Sequence, residues 1–220
     1  MPFQPLQLIL FIFLISLLIA VVQVGLVSIA FERLGLSASS GYLLLFASLF
    51  GSAVNLPAFT IEARPPREEI MPTMFRGLLR LPPQPFTGRT LISVNVGGCL
   101  IPLFFSLYLL QAHPIPILHV LLGIAGVATI SYLASRPVPG IGIGIPIFVA
   151  PIAAALLSVL LNPENSAPLA YMSGALGVIV GADLMRLRDI GDMGLPMASI
   201  GGAGTFDGIF ITGIVAVLLA

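Results

Sequence analysis

The chain has 220 residues, 58% of them hydrophobic, with nine basic residues (all arginine), nine acidic residues and a formal net charge of zero. Only 8% of the residues are charged, against about a quarter in an ordinary soluble domain, which excludes that class. Balanced charge excludes a nucleic-acid partner, and a single cysteine, Cys99, excludes an intrachain disulfide or a zinc site built on several thiolates.

The N-terminal stretch MPFQPLQLILFIFLISLLIAVVQVGLVSIA holds a long apolar run with no basic leader and no small-residue cleavage site. It reads as a retained first helix rather than a signal peptide. Runs long enough to cross a bilayer recur along the chain, and spans are expected at about 6–31, 41–61, 90–111, 115–134, 141–161, 168–187 and 197–219. The expected fold is all-α, a polytopic transmembrane helix bundle of about seven spans forming one domain over residues 1–220. Residues 62–89 are the one sizeable loop, rich in proline and arginine; its middle, PTMFRGLLRL, reads either as a short amphipathic surface helix or as a flexible loop.

Arginine placement sets the orientation. With the long loop in the cytoplasm, Arg64, Arg67, Arg76, Arg80, Arg89, Arg136, Arg186 and Arg188 are all inside, and only Arg33 is outside. The expectation is an N-in, C-out protein of a prokaryotic cell membrane, with the lipid bilayer as its main partner. Spans three, five and seven then enter from the cytoplasm, each irregularly: SVNVGGCLIP, PVPGIGIGIP and IGGAGTFDG. Glycine and proline weaken helices and free backbone groups, which a membrane tolerates only against protein or a watery cavity. Gly140, Gly142, Gly144, Gly202, Gly204 and Thr205 are therefore candidates to line a cavity or hold substrate. The alternative is close helix packing through small residues, the reading preferred for Gly174, Gly177 and Gly181 in the sixth span.

Seven of the nine acidic residues fall in loops or at span ends; Asp183, in VIVGADLMRL, and Asp207, in GAGTFDGIF, do not. A charged side chain at the centre of a membrane helix costs at least about 2.5–3.5 kcal/mol, so such residues are functional candidates by default. A helical start to the last span buries Asp207 deeply, whereas a non-helical glycine run keeps it near the cytoplasmic surface, where it can face Asp183. Two carboxyls in contact share a proton and can activate a water. Asn55 and Asn95 fall in the same half and complete a polar cluster. The structural alternatives are an Asp183–Arg186 pair at i, i+3, Asp207 in the first turn of a helix capped by Thr205, and asparagines serving as interhelical hydrogen-bond partners. His113 and His119 lack metal-ligand spacing, and neither a metal nor a cofactor is expected.

The C-terminal stretch YMSGALGVIVGADLMRLRDIGDMGLPMASIGGAGTFDGIFITGIVAVLL, with PGIGIGIPIFVAPIAAALL upstream, resembles an uncharacterised prokaryotic membrane-protein family, domain of unknown function 1614. More distantly, the two aspartates are similar to those of presenilin-like intramembrane aspartyl proteases, in which the second aspartate follows Gly-x-Gly. Here Thr205 and Phe206 intervene between Gly202-Ala203-Gly204 and Asp207, Ala182 stands where tyrosine is typical, and no Pro-Ala-Leu motif occurs.

That resemblance implies catalytic roles for Asp183 and Asp207, one as general base on a water and the other as general acid, acting on a membrane-helix substrate. An ion- or proton-coupled transporter or channel would use the same carboxylates and interrupted helices differently. A non-catalytic membrane scaffold is the third reading.

Overall fold

The computed structural model describes residue 16 and residues 23–64, 88–138, 142–202 and 208–220. Two helices, α1 (Gln23–Arg33) and α2 (Ala38–Gly51), meet at a bend of 109°. Ser37 starts the second by accepting the Ser40 N–H on its Oγ at 3.2 Å, satisfying one of the free donors of the first turn.

Beyond α2 the chain departs from the expected all-helical course. Asn55–Glu62 is a strand, β1, and Arg89–Asn95 is its antiparallel partner β2, with Asn55 opposite Asn95. The sequence RTLISVN explains why: Thr90, Ile92 and Val94 are β-branched at alternate positions and suit a pleated, half-buried surface. Pro57 and a register shift between Pro57 and Phe59 fit β1 to a sheet edge, where a missing N–H is tolerated. One π-helical turn, Val96–Leu100, then leads into α3 (Ile101–Ala112).

Helix α4 (Ile117–Ala134) follows, ending in a small antiparallel pair, β3 (Arg136–Val138) and β4 (Gly142–Gly144). The Gly142–Gly144 part of the GIGIGIP run is thus extended, not helical. Helix α5 (Val149–Leu161) comes next, and α6 (Ser166–Val178) continues through a π-helical turn (Ile179–Asp183) and a 3-10 turn (Leu184–Arg186) into the short α7 (Leu187–Asp192). Strand β5 (Met197–Ile200) lies parallel to β2, giving a three-stranded sheet of order β1-β2-β5, before α8 (Gly208–Leu219) closes the chain.

The protein is therefore mostly helical but not all-α. Expected spans two, three, five and seven each surrender part of their length to a strand or a turn. Among the described residues, Ile117–Ala134 and the helical run Pro163–Asp192 are long and apolar enough to cross a membrane, and the bent pair α1–α2 makes up to a third. Val96–Ala112, Val149–Leu161 and Ile209–Leu219 are shorter apolar helices. Most of the first expected span, and the PTMFRGLLRL segment, lie outside the described residues.

Helix α6 is the hub, touching α3, α4, α5 and α8. Tyr171 at its middle is fully buried, edge-on to Phe105 at 4.9 Å between ring centres. The bundle has an apolar core and an apolar exterior as well: Leu43 and Phe50 on α2, Phe104 on α3, Leu121 on α4 and Leu160 on α5 all face outward. Such a continuous apolar exterior is compatible with a lipid bilayer. At one end of the bundle Arg33 Nη1 donates to the Val217 carbonyl (3.2 Å), His113 Nε2 to Leu34 (3.4 Å) and Ser166 Oγ to Ala220 (3.1 Å). Both sheets occupy the opposite end, with Arg64, Arg89, Arg136, Arg186 and Arg188.

Candidate functional site

A polar knot ties the larger sheet to the helices beneath it. Asn95 is completely buried: its Nδ2 donates to the Ser52 carbonyl (2.7 Å) and to Asn55 Oδ1 (3.1 Å), while its Oδ1 accepts the Gly98 N–H (2.8 Å). Asn55 Oδ1 also accepts the Ser199 hydroxyl at 2.6 Å. One amide thereby joins the end of α2, β1, β2 and the π-helical turn before α3, and Asn55 extends the connection to β5. The two asparagines meet, and their polar atoms serve this framework. Leaving any of these buried groups unpaired would cost about 1–3 kcal/mol each.

Asp183 sits at the end of the π-helical turn that interrupts α6. Two contacts with α4 fix its position. Gly181 lies so close to the Ala128 carbonyl that a Cβ there would collide with it. Three residues past Asp183, Arg186 grips the end of α4, donating from Nη2 to the Tyr132 and Ser135 carbonyls (2.6 and 2.8 Å) and from Nε to Ser135 Oγ (3.1 Å). The guanidinium also stacks over the Tyr132 ring at 4.2 Å and pairs with Asp189 at 2.7 Å. The i, i+3 ion pair of this segment is thus Arg186–Asp189, not Asp183–Arg186.

Freed from Arg186, the Asp183 carboxylate accepts the Gly201 N–H on Oδ2 at 2.8 Å, its one hydrogen bond among the described residues. Gly201 follows β5 directly, with φ +85°, and Gly202 has φ +94°. A side chain at Gly201 would lie 2.7 Å from Cys99 Cβ, Cys99 N and Gly98 C. Only glycine combines that backbone angle with that approach. The turn is wedged between the π-helical turn of Val96–Leu100 on one side and Asp183 on the other.

Of the remaining expected site residues, Gly142 and Gly144 are the ends of β4, in the smaller sheet. Gly140, Gly204, Thr205 and Asp207 lie outside the described residues. Two open cavities of about 530 Å³ flank this end of the molecule, one between the end of β1 and α7, the other beside the β3–β4 pair; Asp183 lines neither. Among the described residues no three His, Cys, Asp or Glu side chains converge as a metal site would require. Gly201, Ser199 and Ser52 are site residues that the sequence reading misses. Their one advance signal is the place of Gly201 within the glycine-rich IGGAGTFDG entrance.

The geometry can be set beside known proteins. A family model described as "Protein of unknown function (DUF1614)" matches residues 49–219. The chain belongs to this DUF1614 family. The match covers every element from the end of α2 to α8, so both sheets, the asparagine knot and the Asp183–Gly201 contact all lie within the DUF1614 region. No curated protein and no solved structure matches the chain.

Proposed function

We propose that this DUF1614 protein is a diaspartyl intramembrane protease, with Asp183 and Asp207 sharing a proton and activating a water on a substrate amide. The observation that carries this reading is the 2.8 Å hydrogen bond from the Gly201 N–H to Asp183. It fastens the carboxylate of the central helix to the glycine turn that leads, within a few residues, to the second aspartate. The Gly202-Ala203-Gly204 run ahead of Asp207 resembles the Gly-x-Gly of presenilin-like proteases, with two residues intervening before the aspartate. The outer edge of β5 makes no strand pairing in the described sheet, whose order ends there, and an edge of this kind suits an extended peptide.

The proposed setting is a prokaryotic cell membrane crossed by seven helical segments, α1 to α6 and α8, with the sheet end and the N-terminus in the cytoplasm. Five of the described arginines at the sheet end, against Arg33 at the other, support that orientation. Ahead of α5 the chain runs through the extended β3–β4 pair, and β5 precedes α8 in the sequence.

Purified full-length protein reconstituted with membrane-helix reporters tests the activity. Cleavage should fall at least about a hundredfold in Asp183→Asn and in Asp207→Asn, the scale of a lost general acid or base, with the helical circular dichroism unchanged. Equal cleavage by the double variant sinks the proposal. A cysteine pair replacing Asp183 and Asp207 in a Cys99→Ser background should oxidise to a disulfide, which needs Cα atoms within about 7 Å; failure to form it rejects the shared-proton geometry.

A second reading, an ion- or proton-coupled transporter, draws on the π-helical turn that interrupts the α6 run at Ile179–Asp183 beside the carboxylate, and on the one at Val96–Leu100 that opens α3. It requires pH- or ion-dependent flux in proteoliposomes that is lost in Asp183→Asn, with no proteolysis.

A further inference from the structure

We infer that the groove between the end of α4 and the β3–β4 pair is a binding site for an anionic phospholipid. The inference is independent of proteolysis and rests only on the bilayer placement of α4.

The groove has a volume of about 530 Å³ and is lined by Leu133, Ala134, Val138, Ile145 and Pro146, with Arg136 as its one charged lining residue. Leu133 is 73% exposed at the groove, and the exposed Ile147 and Phe148 follow directly on Pro146. An apolar, outward-open floor with a single cation beside it matches an amphiphile with an acyl chain and an anionic head.

Arg136 is available for such a head because its natural competitors are already engaged. Carbonyl groups at the C-terminal end of a helix attract cations, but at α4 those of Tyr132 and Ser135 are held by Arg186. The two aspartates of α7 are committed elsewhere, Asp189 to Arg186 and Asp192 to Arg64. Among the described residues Arg136 has no ion pair. A guanidinium offers a planar fork of donors that suits a phosphodiester.

Depth agrees with charge. At 1.5 Å per residue the 18 residues of α4 extend about 27 Å, close to the hydrocarbon thickness of a bilayer. Arg136, two residues past the end of α4, therefore stands at headgroup level with the apolar groove adjoining it. Among the described residues no acidic side chain lines the groove, so the ammonium of a zwitterionic headgroup finds no carboxylate partner among them. That absence selects a net-anionic lipid.

Full-length protein in a non-ionic detergent, titrated with phosphatidylglycerol or phosphatidylcholine and read by native mass spectrometry, tests the site. Wild type should bind phosphatidylglycerol about fivefold more tightly, the effect of one arginine near a lipid headgroup. Arg136→Gln should abolish the preference, whereas Arg136→Lys and Arg188→Gln should keep it. Glycerol 3-phosphate, the headgroup chemistry without chains, should not compete. Equal binding of the two lipids by wild type, retained preference in Arg136→Gln, or an equal loss in Arg188→Gln overturns the proposal; competition by glycerol 3-phosphate replaces it with a site for a free phosphate. Release of the protein from membranes by alkaline carbonate alone would instead reject the bilayer placement, a separate outcome from the lipid preference.

Discussion

The wedge at Gly201 makes a quantitative prediction about stability. Alanine there meets two obstacles. A left-handed backbone angle costs a non-glycine residue about 1–2 kcal/mol, and a Cβ at 2.7 Å from Cys99 and Gly98 forces a shift worth about another 1–3 kcal/mol. Gly88 separates the two contributions, because its φ is +73° but none of the described residues comes within 4 Å of the position a Cβ would take. Gly88→Ala should therefore cost about 1–2 kcal/mol, and Gly201→Ala about 2 kcal/mol more. For a chain of this length that difference lowers the melting temperature by about 4–8 °C beyond the Gly88 variant. Thermal unfolding of both variants in the same detergent, followed by circular dichroism, measures it. If Gly201→Ala melts no lower than Gly88→Ala, the turn is not wedged between the π-helical turn and Asp183, and the geometry assigned to the carboxylate is wrong.

Asn95→Ala should be among the most destabilising substitutions of a polar residue, because it strands the Ser52 carbonyl and the Gly98 N–H and leaves Asn55 Oδ1 with the Ser199 hydroxyl alone. At about 1–3 kcal/mol per orphaned group it should unfold well below Asn55→Ala in a thermal melt. Gly181→Ala should loosen α6 from α4, because its Cβ meets the Ala128 carbonyl, at a cost of about 1–3 kcal/mol or more. Gly174→Ala, whose nearest neighbours stand at 3.3–3.6 Å, should melt within a few degrees of wild type. Replacing Arg186 by methionine should raise amide exchange near Tyr132 and Ser135 by at least about tenfold, while Asp189→Asn, which leaves the carbonyl clamp intact, should leave exchange there nearly unchanged.

Helices α4 and α6 were legible in the sequence because their apolar runs are long and unbroken, whereas the sheet was not. RTLISVN is apolar enough to read as the start of a membrane helix, and a short apolar run does not distinguish strand from helix by periodicity. Pairing decides it, and the partners MASI and NLPAFTIE lie far away in the chain. Asp183 stood out because a carboxylate within an apolar run is rare. Its partner did not, since Gly201 is 18 residues away and donates only a backbone N–H. Arg186 posed a choice that spacing cannot settle: Asp183 and Asp189 are each three residues from it, and only the approach of α4 fixes where the guanidinium turns. The asparagines were found as a polar cluster, but their joint task of holding strands to helix ends depends on Ser52 and Ser199, which nothing in their local sequence marks.

The parallel pairing of β2 with β5 bears on how the molecule is made. Thr90 and Ser93 send their hydroxyls to the carbonyls of Leu195 and Ala198, each 105 residues further along the chain. A ribosome delivers β2 about a hundred residues before β5, so α3 to α6 are all synthesised before the third strand can dock. Contacts between segments so distant form late. Until then Gly201 cannot reach Asp183, and the nascent protein carries that contact unmade. Order of translation thus withholds that arrangement until β5 has been made.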